Sequence, residues 1–582
     1  MSAPRIVVIG GGVGGLATAG LLARGGARVT LLEARDQLGG RSGRLEVDGH
    51  VYDTGPSWYL MPEAFTQFFA LMGRDVEREL DLIELDPRYR VFFEGEDPAG
   101  PAELLEVSAD AEENWRRFDA LSPGEGAAVR AYAEDAGDLY RLALERFLYT
   151  TYARPERVVS AEVVRRLPEL GPLLVRSLGA RIASRIRDPR LRQILGFHAV
   201  FLGSSPSRAP SLFSLMSHLD LTSGVKYPRG GMYAVIDALA RVAREEGADL
   251  RTGTPVERIL VDDAGLATGV ALASGETIEA DAVVSGADLH HTETVLLDAP
   301  HRTHPEDRWR RRDPGVSALL VLAGVDGPLP ELAHHSLFFS RDWEGNFGSI
   351  AAGAVPPLPA SIYVSRTTAT EPGLAPPGRE SLVMLVPFPA EPALGATASS
   401  RAELADYAGR AIDQVGAWAG VPGLRGRTTV HRILTPSDFE TDLHAWRGGA
   451  LGLEHTLAQS ALLRPANVSR KVGNLLYAGS STTPGIGVPL CLISAELVAK
   501  RLLGAVDAGP LPTPAPPGFL GRSRASGVLG DLARRAGRAS GGSDPAPAPA
   551  PAPAPSHGDI TPLDPTHGDV SPQDPTHGSV TA

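Results

Sequence analysis

The first sixty residues alternate between short apolar runs and glycine-rich or polar breaks, in the order of a βαβ unit. An apolar run rich in β-branched residues, Arg5–Ile9, is suited to a buried parallel strand. A glycine-rich stretch at 10–15 follows directly, and then an Ala/Leu-rich helix is predicted from Leu16 to about Ala23. Two glycines end this helix, and a second strand, Arg28–Leu32, closes on Glu33. The pattern therefore predicts an α/β fold that starts with strand, turn, helix and strand.

The glycine-rich turn carries the G-x-G-x-x-G spacing at Gly10, Gly12 and Gly15. In a dinucleotide-binding unit the first glycine allows a tight turn, the second lets the backbone approach a pyrophosphate, and the third lets the helix pack close to the strand. The helix N-terminus adds unpaired N–H groups and the positive end of its dipole. Glu33 lies where a carboxylate can accept the ribose hydroxyls, and it would repel a 2′-phosphate. A glycine-rich turn in another kind of α/β unit is disfavoured, because all the parts occur in order.

A second glycine pair, shortly after the ribose acid, favours FAD over NAD. Gly39 and Gly40 give a second close approach of the backbone, and Arg41 offers a guanidinium to the pyrophosphate or the flavin. An exposed surface arginine is the alternative for Arg41. The doublet resembles the extended fingerprint of the glutathione-reductase-like flavoproteins, which include amine oxidases, protoporphyrinogen oxidase and carotenoid desaturases. This resemblance implies that the turn holding Gly55 and Pro56 lies near the isoalloxazine ring.

The far end of the chain again has a strand, a glycine-rich turn and a helix. A short strand at 474–479 precedes the turn, and a helix is predicted over Leu490–Leu503. The turn resembles the C-terminal flavin motif of the bacterial phytoene desaturase family, where a strand ending in glycine precedes Pro-Gly-x-Gly-x-Pro. Amine oxidases usually carry an acidic residue where this chain has Ser480. The resemblance implies that the turn over the ribityl chain and the flavin is shaped by Gly479, Gly485, Gly487 and Pro489.

Further matches to this family occur in order between the two ends, so that the resemblance covers roughly Ile6 to Leu503. Tyr227–Met232 is similar to the family's Tyr/Phe-Pro-x-Gly-Gly turn. A strand that ends at Asp288 is similar to the family strand ending in Asn-Ala-Asp, with Gly286 in place of the asparagine. The resemblance implies that Asp288 and Val256 also belong to the FAD site. It further implies an FAD-dependent desaturase that introduces double bonds into phytoene or a related acyclic carotene.

The predicted fold class is α/β, with a Rossmann-like FAD-binding domain of the glutathione-reductase type and an interleaved α+β substrate domain. We expect the FAD-binding domain in three parts, at 1–70, 226–300 and 441–507. The substrate domain is expected as a helical, membrane-facing part at 71–225 and a sheet at 301–440. A disordered tail is expected at 508–582.

Composition limits the class of protein further. With 582 residues and 43% hydrophobic content, the chain can form two or more cored lobes. Its single cysteine, Cys491, suits a reducing cytoplasm and is favoured as a small buried hydrophobe. A net charge of −13 argues against nucleic-acid partners and against recruitment to anionic lipid by overall charge. No apolar run predicts a spanning helix, and a strand so close to Met1 leaves no room for a signal peptide. We therefore expect a cytoplasmic protein that is peripheral, or monotopic, on the membrane.

The segment from about Ala508 is rich in Pro, Ala, Gly and Ser, so it cannot bury enough apolar surface to offset its ordering entropy. It ends in a near-repeat marked by His557, His567 and His577. We interpret this as a disordered repeat rather than a weak metal-binding tract, and expect no metal site. An arginine-bearing stretch at 522–538 is either a membrane-surface segment or a solvated linker.

The resemblance implies that the flavin accepts hydride from an allylic carbon while a vicinal proton leaves, with quinone or oxygen as the terminal electron acceptor. A hydrophobic polyene then needs an apolar channel, and we predict that 196–203 and 212–216 line it. An ordinary buried helix would show the same pattern. Glu454 and His198 are weak candidates for a catalytic base, and hydrogen-bonded structural roles are favoured for both.

Two other functions remain open at this point. One is another flavoenzyme of the superfamily, either an amine oxidase or a carotenoid isomerase or ketolase. The other is a non-catalytic prenyl-binding carrier of the same fold, as in the GDP-dissociation inhibitors. Intact flavin motifs at both ends of the chain disfavour the carrier.

Overall fold

The computed structural model describes residues 3–154, 156 and 161–522. The predicted near-repeat and residues 523–538 of the arginine-bearing stretch lie outside these residues. The described strands are β1 (Arg5–Ile9), β2 (Arg28–Leu32), β3 (Arg44–Val47), β4 (His50–Asp53), β5 (Leu82–Glu84), β6 (Tyr89–Phe93), β7 (Glu103–Val107), β8 (Lys226–Pro228), β9 (Asp249–Arg251), β10 (Val256–Val261), β11 (Ala267–Leu272), β12 (Thr277–Glu279), β13 (Ala282–Ser285), β14 (Val316–Asp326), β15 (His335–Phe339), β16 (Ile362–Ser365), β17 (Arg379–Pro389), β18 (Thr428–Leu434) and β19 (Leu475–Tyr477).

Short 3-10 and π segments connect many of the α-helices. The α-helices are α1 (Val13–Arg24), α2 (Pro62–Leu71), α3 (Val76–Glu79), α4 (Ala111–Leu121), α5 (Glu125–Ala143), α6 (Ala161–Val175), α7 (Leu178–Ala183), α8 (Pro189–Gly196), α9 (Met216–His218), α10 (Tyr233–Glu245), α11 (Leu289–His291), α12 (Glu306–Trp309), α13 (Trp343–Ala351), α14 (Ala398–Ala419), α15 (Pro436–Leu443), α16 (Val488–Leu503) and α17 (Phe519–Arg522).

A five-stranded parallel sheet, in the order β19-β13-β1-β2-β9, forms the floor of the nucleotide-binding region. The strands β19, β13 and β1 are mostly apolar and buried, as expected for a parallel sheet covered on both faces, whereas the edge strand β9 is largely exposed. The chain leaves β1 for β2 on one side, while β13 pairs on the other, so β1 and β13 flank the point where strand order reverses. Ligands of open α/β sheets bind at such a point, outside the carboxyl ends of the strands. The predicted βαβ unit and α/β class are confirmed.

Four helices, α1, α2, α10 and α16, pack together on one face of this sheet. Gly20 lets α1 approach α10 closely, since a Cβ there would lie 3.3 Å from the Cα of Ala243. α16 packs against α1 and α2, and its buried leucines, valines and alanines join the same core. These contacts hold the N-termini of α1 and α16 at the carboxyl end of the sheet.

A second, seven-stranded sheet has the order β18-β14-β17-β16-β15-β6-β7. Alternate residues of its strands, such as Phe338, Val364 and Met384, pack under α14 in one core. The opposite face carries Leu337 and Tyr363. Because the Tyr363 hydroxyl lies 2.7 Å from the hydroxyl of Ser57, directly after Pro56, this face is the one directed toward the predicted flavin turn.

The sequence places the start of a disordered tail at 508, but residues 508–522 pack against the folded body. Ala515, Phe519 and Leu520 are buried in the core that also holds α1. The N–H of Ala515 donates to the carbonyl of Leu71 (3.0 Å) and that of Leu520 to Gly25 (3.2 Å). The expectation is therefore wrong for these residues: apolar side chains within this Pro-rich stretch are buried in the core, which average composition does not reveal.

No α-helix in the described part of the chain is both long and apolar enough to span a membrane.

Candidate functional site

The turn after β1 contains two glycines that the backbone geometry requires and one that it does not. Gly10 has φ +93°, and a Cβ on Gly15 would collide with the carbonyl oxygen of Gly10, so these two shape the turn and the strand–helix packing. A Cβ on Gly12 would find nothing nearer than the carbonyl oxygen of Gly39, at 3.9 Å. Gly12 also has ordinary extended backbone (φ −73°, ψ 178°). The space above Gly12 is therefore open, as a site for an approaching phosphate requires.

The N-terminus of α1 is free of any competing side chain. No side chain caps it, and its first turn contains no acidic residue. Its unpaired N–H groups and positive dipole end are thus available to an anion at the open space above Gly12.

Glu33 lies at the carboxyl end of β2 with its carboxylate buried. Its two oxygens accept the N–H groups of Gly11 (2.6 Å) and Arg35 (2.9 Å). These bonds fix the carboxylate beside the turn. The N–H of Thr254 donates to the Glu33 carbonyl (2.8 Å), which brings Val256, at the start of β10, to the same end of the sheet.

The second glycine pair lies against the first turn. The N–H of Gly39 donates to the Gly11 carbonyl (2.9 Å), and Gly40, with φ +56°, lies so that a Cβ would be 3.4 Å from the Cα of Gly12. Gly55 is held against the Arg41 carbonyl oxygen with no room for a Cβ. The two glycine segments and the Gly55–Pro56 turn are thus brought together.

Arg41 reaches across to the neighbouring strand connection. Its guanidinium forms an ion pair with Asp288 (3.1 Å), which also caps α11 by accepting the N–H of His290 (2.9 Å). The Nε of Arg41 is buried and makes no hydrogen bond within the described residues. Both side chains line a cavity with Gly286 and Ser481. A buried N–H without an acceptor, at the carboxyl end of the sheet, is a suitable donor to a diphosphate oxygen.

The turn after β19 completes this cavity. A Cβ on Gly14 would lie 2.9 Å from the backbone of Gly479, so the start of α1 and the end of β19 meet through two glycines. Gly479 itself has φ +104°. The ring of His455 lies where a Cβ on Gly485 would be, and its Nε2 accepts the N–H of Ile486 (3.1 Å).

Gly487 and Pro489 mark the start of α16. Gly487 is the N-cap, with φ +119° and no side-chain cap, and Pro489 occupies the first turn, where a missing N–H costs nothing. A second uncapped helix N-terminus therefore follows the turn that begins at Gly479. The glycines of the predicted site, together with Arg41 and Asp288, are compatible with bound FAD. We call this set of residues the FAD frame.

Glu454 is buried and fully occupied. Its carboxylate accepts the hydroxyl of Ser204 (2.6 Å) and pairs with Arg208 (2.6 Å), which also pairs with Asp313 (2.7 Å). Burial is the main cause that raises the pKa of Glu454 to about 7, while Arg208 opposes the shift. Since its neighbour His455 supports the turn at Ile486, Glu454 lies beside the site, tied to the predicted channel segment.

His198 lies farther inside the helical region. Its Nε2 is 3.3 Å from a carboxylate oxygen of Asp220, and its ring packs on Phe197. The other Asp220 oxygen accepts the hydroxyl of Tyr89 (2.6 Å). Neither ring nitrogen of His198 makes a hydrogen bond within the described residues, so the hydrogen-bonded role expected for His198 is not observed.

Sequence reasoning missed two polar groups that border the site. Asp53 accepts the N–H groups of Met232 (2.8 Å) and Tyr233 (3.1 Å), capping α10, and burial raises its pKa to about 6. The Tyr363 hydroxyl joins Ser57 to Nδ1 of His335 (2.7 Å). Asp53 lies two residues before Gly55 of the predicted flavin turn, whereas no local signal marks Tyr363.

Cys491 lies in the first turns of α16 as a neutral thiol. Burial raises its pKa to about 12. The described residues contain no cluster of His, Cys, Asp and Glu suited to a metal ion.

Comparisons with known proteins show the family of this chain. The family model of flavin-containing amine oxidoreductases matches residues 13–503. A carotenoid 3,4-desaturase of Haloarcula japonica is 38% identical over 503 residues, covering 86% of this chain and 99% of the relative. A zeta-carotene-forming phytoene desaturase of Myxococcus xanthus is 37% identical over 502 residues, covering 86% of this chain and 94% of the relative.

Solved structures share the fold at lower sequence identity. An oxidoreductase from Methanosarcina mazei superposes with a TM-score of 0.55 at 19% identity, covering 85% of this chain and 100% of that one. Putrescine oxidase bound to putrescine gives a TM-score of 0.56 at 17% identity, covering 86% and 99%.

Proposed function

The chain belongs to the flavin-containing amine oxidoreductase family, and on that premise we propose that it is an FAD-dependent carotenoid desaturase acting on phytoene or a related acyclic carotene. The proposal rests on one observation: the chain matches two relatives named as carotenoid desaturases over nearly their whole length. The residues predicted to bind FAD also lie together in the fold. A carrier would not need an open phosphate site above Gly12 together with two uncapped helix N-termini.

In this reaction the bound flavin supplies the hydride acceptor. The protein's own groups position the cofactor and exclude water. Arg41 and the start of α1 would hold the diphosphate, Glu33 would hold the adenosine ribose, and the Gly485–Pro489 turn would lie over the flavin. Arg208 and Ser204 occupy the Glu454 carboxylate, so we assign Glu454 to positioning of the 203–208 segment.

The polyene requires an apolar wall. Trp58, Phe201 and Phe197 pack against one another at ring distances of 5.6–5.9 Å, close to Tyr363. Phe213 packs on His455 at 5.0 Å, next to the Ile486 turn. These groups come from the two predicted channel segments and from the residues after Pro56, so we propose that they form the channel.

Product analysis tests the function. The gene is expressed in one host that makes phytoene and in another that makes a more conjugated acyclic carotene. A new, more unsaturated product in the first host supports phytoene desaturation. A product only in the second host supports 3,4-desaturation, the reaction that the Haloarcula relative's name describes. If neither host yields a new polyene while the purified protein carries FAD, the carotenoid function is wrong and amine substrates are the next to try.

We also propose that α6 contacts the membrane. Val164, Leu167, Leu174 and Val175 recur at helical spacing on one face and are 43–78% exposed. The carbonyl of Leu173 accepts the Ser211 hydroxyl (3.1 Å), which connects α6 to the predicted channel wall. A lipid bilayer suits this stripe because the substrate is dissolved there and an apolar helix face gains from entering the interface.

Liposome co-sedimentation tests this surface. The double variant Leu167→Ser, Val175→Ser should bind neutral liposomes more weakly than the wild type. Val430→Ser, an exposed apolar residue on β18, is the matched control and should bind as the wild type does. Binding should change little with salt, since screening removes only the electrostatic contribution. Strict dependence on anionic lipid, falling steeply with salt, would contradict the α6 surface and favour the arginine-bearing stretch at 522–538.

Each desaturation leaves two electrons on the cofactor, and we propose quinone or oxygen as the acceptor that removes them.

A further inference from the structure

A second cleft, distinct from the FAD frame, lies beside it. It has a volume of about 540 Å³, within the usual range of small-molecule sites. Its walls come from α11, α12 and the loop after α15, and the residues that matter here are His290, His291, Trp309, Arg312, His444 and Trp446.

Flat rings make up most of these walls. The rings of His291 and His444 stack in parallel, 4.1 Å apart and 6° from coplanar. The ring of His290 stacks on Trp446 at 5.6 Å, and Trp309 meets Trp446 edge-on at 5.0 Å. Burial lowers the pKa of His291 to about 4, so its ring is neutral near pH 7. Such walls suit a planar ring rather than an extended chain.

One cation in the cleft lacks an acceptor. Arg312 lies over the Trp309 ring at 5.6 Å, and one of its terminal nitrogens is buried without a hydrogen bond among the described residues. The described residues give it no ion pair, unlike Arg310 nearby, which pairs with Asp307. A buried guanidinium N–H without a partner is costly, and a ligand oxygen would satisfy it.

The cleft adjoins the FAD frame through its own aromatic wall. Trp309 and Trp446 also line a smaller cavity, together with Arg41, Asp288 and Ser481. Those last three residues line the diphosphate cavity as well. One layer of aromatic side chains therefore separates the cleft from the predicted cofactor site.

We propose that this cleft binds a quinone head group, the oxidant that regenerates the cofactor. Its ring would lie among the imidazole and indole rings, and a carbonyl oxygen would accept the free N–H of Arg312. The quinone takes two electrons from the reduced flavin, together with two protons, so its two carbonyl groups become hydroxyls and the flavin returns to its oxidised form. The inference rests on the proposed oxidoreductase function.

Menadione, a naphthoquinone, is a suitable probe with the FAD-loaded protein. Binding is measured by quenching of tryptophan fluorescence, without turnover. Reoxidation is measured separately, by reducing the flavin photochemically without oxygen and then mixing with menadione or with oxygen. The test variant is Arg312→Gln, and Arg311→Gln, an exposed arginine of the same segment, is the matched control. Trp446→Leu is a second test variant in case Arg312→Gln does not fold.

We expect saturable quenching by menadione in the wild type and in Arg311→Gln. In Arg312→Gln the dissociation constant should rise roughly ten-fold to a hundred-fold, the range for losing a hydrogen bond to a charged group. Reoxidation by sub-saturating menadione should slow by a similar factor, while reoxidation by oxygen is unchanged.

Three results would overturn the proposal: no saturable binding, equal effects of Arg312→Gln and Arg311→Gln, or an equal slowing with oxygen, which would locate the change at the flavin. No carotene is present in these assays. Failure of the carotene assay with intact menadione binding would therefore refute the desaturase function alone.

Discussion

Replacing Gly12 with alanine should separate cofactor binding from folding, and Gly15→Ala is its matched opposite. Both glycines lie in the turn between β1 and α1, and both variants add one methyl group. The methyl at residue 12 would enter open space, 3.9 Å from its nearest neighbour, while the one at residue 15 would collide with the Gly10 carbonyl oxygen. Only the first addition is tolerated by the protein itself.

The expected free energies follow from this geometry. Overpacking in a closed site costs about 1–3 kcal/mol, so Gly15→Ala should lower the free energy of unfolding of the apoprotein by at least that range. Gly12→Ala should change it by less than about 1 kcal/mol, because Gly12 has an extended conformation that alanine adopts. If a phosphate fills the space above Gly12, the same overpacking cost falls on the cofactor instead, and the FAD dissociation constant should rise roughly ten-fold to a hundred-fold.

Two measurements on each variant decide the matter. Denaturant unfolding of the apoprotein gives the stability, and titration of FAD with detection of its fluorescence quenching gives the affinity. Wild-type affinity in Gly12→Ala would refute the placement of the phosphate above Gly12. Equal destabilisation of the two apoproteins would refute the claim that the space is open.

Three other predictions concern stability, each read from thermal or denaturant unfolding. Glu454 has a raised folded-state pKa, so the native state keeps a proton that the unfolded chain releases between about pH 4.5 and 7. The free energy of unfolding should therefore fall through that window by up to about 3 kcal/mol, and Glu454→Gln should remove this part of the pH dependence. Equal slopes of stability against pH in the variant and the wild type would contradict the burial of the carboxyl. Truncation after Gly509 removes buried Phe519 and Leu520 and should lower the free energy of unfolding by about 3–6 kcal/mol. Truncation after Arg522 should leave stability and FAD content unchanged, and the same result for both truncations would mean that residues 510–522 contribute nothing to stability. Asp53→Ala leaves two N–H groups at the start of α10 without an acceptor and should lower the free energy of unfolding by about 1–3 kcal/mol. Asp237→Ala, at an exposed position of the same helix, should lower it by less than about 0.5 kcal/mol. Equal losses of stability would argue against the capping role of Asp53.

The parts of this fold that could be predicted from the sequence are those that depend on local sequence signals. β1, the glycine turn and β2 occupy the expected residues because strand propensity and glycine spacing act over a few positions. α1 begins at Val13 rather than Leu16, however. Gly14 and Gly15 read as turn residues in isolation, yet the helix includes both because their missing side chains let it contact Gly479 and Gly10.

The rest depends on pairs that sequence separation hides. Arg41 meets Asp288 across 247 residues, and Arg208 meets Glu454 across 246. Composition predicted the tail from 508 but could not show that Phe519 and Leu520 find a core. The sequence pattern does not predict the aromatic cleft for the same reason. His291 and His444 are far apart along the chain and stack only in the folded protein.

The five-stranded sheet also fixes when the cofactor can be captured during synthesis. β1 pairs with β13, and β13 pairs with β19, so the floor of the site needs residues 5–9, 282–285 and 475–477 together. On the ribosome the first βαβ unit emerges early but lacks its neighbours on one side until nearly the whole body has been made. Contacts so distant in sequence form slowly, and α1 leaves apolar surface unburied meanwhile. Flavin incorporation should thus be post-translational, and nascent chains of this protein should depend on chaperones that shield α1 until α16 is released.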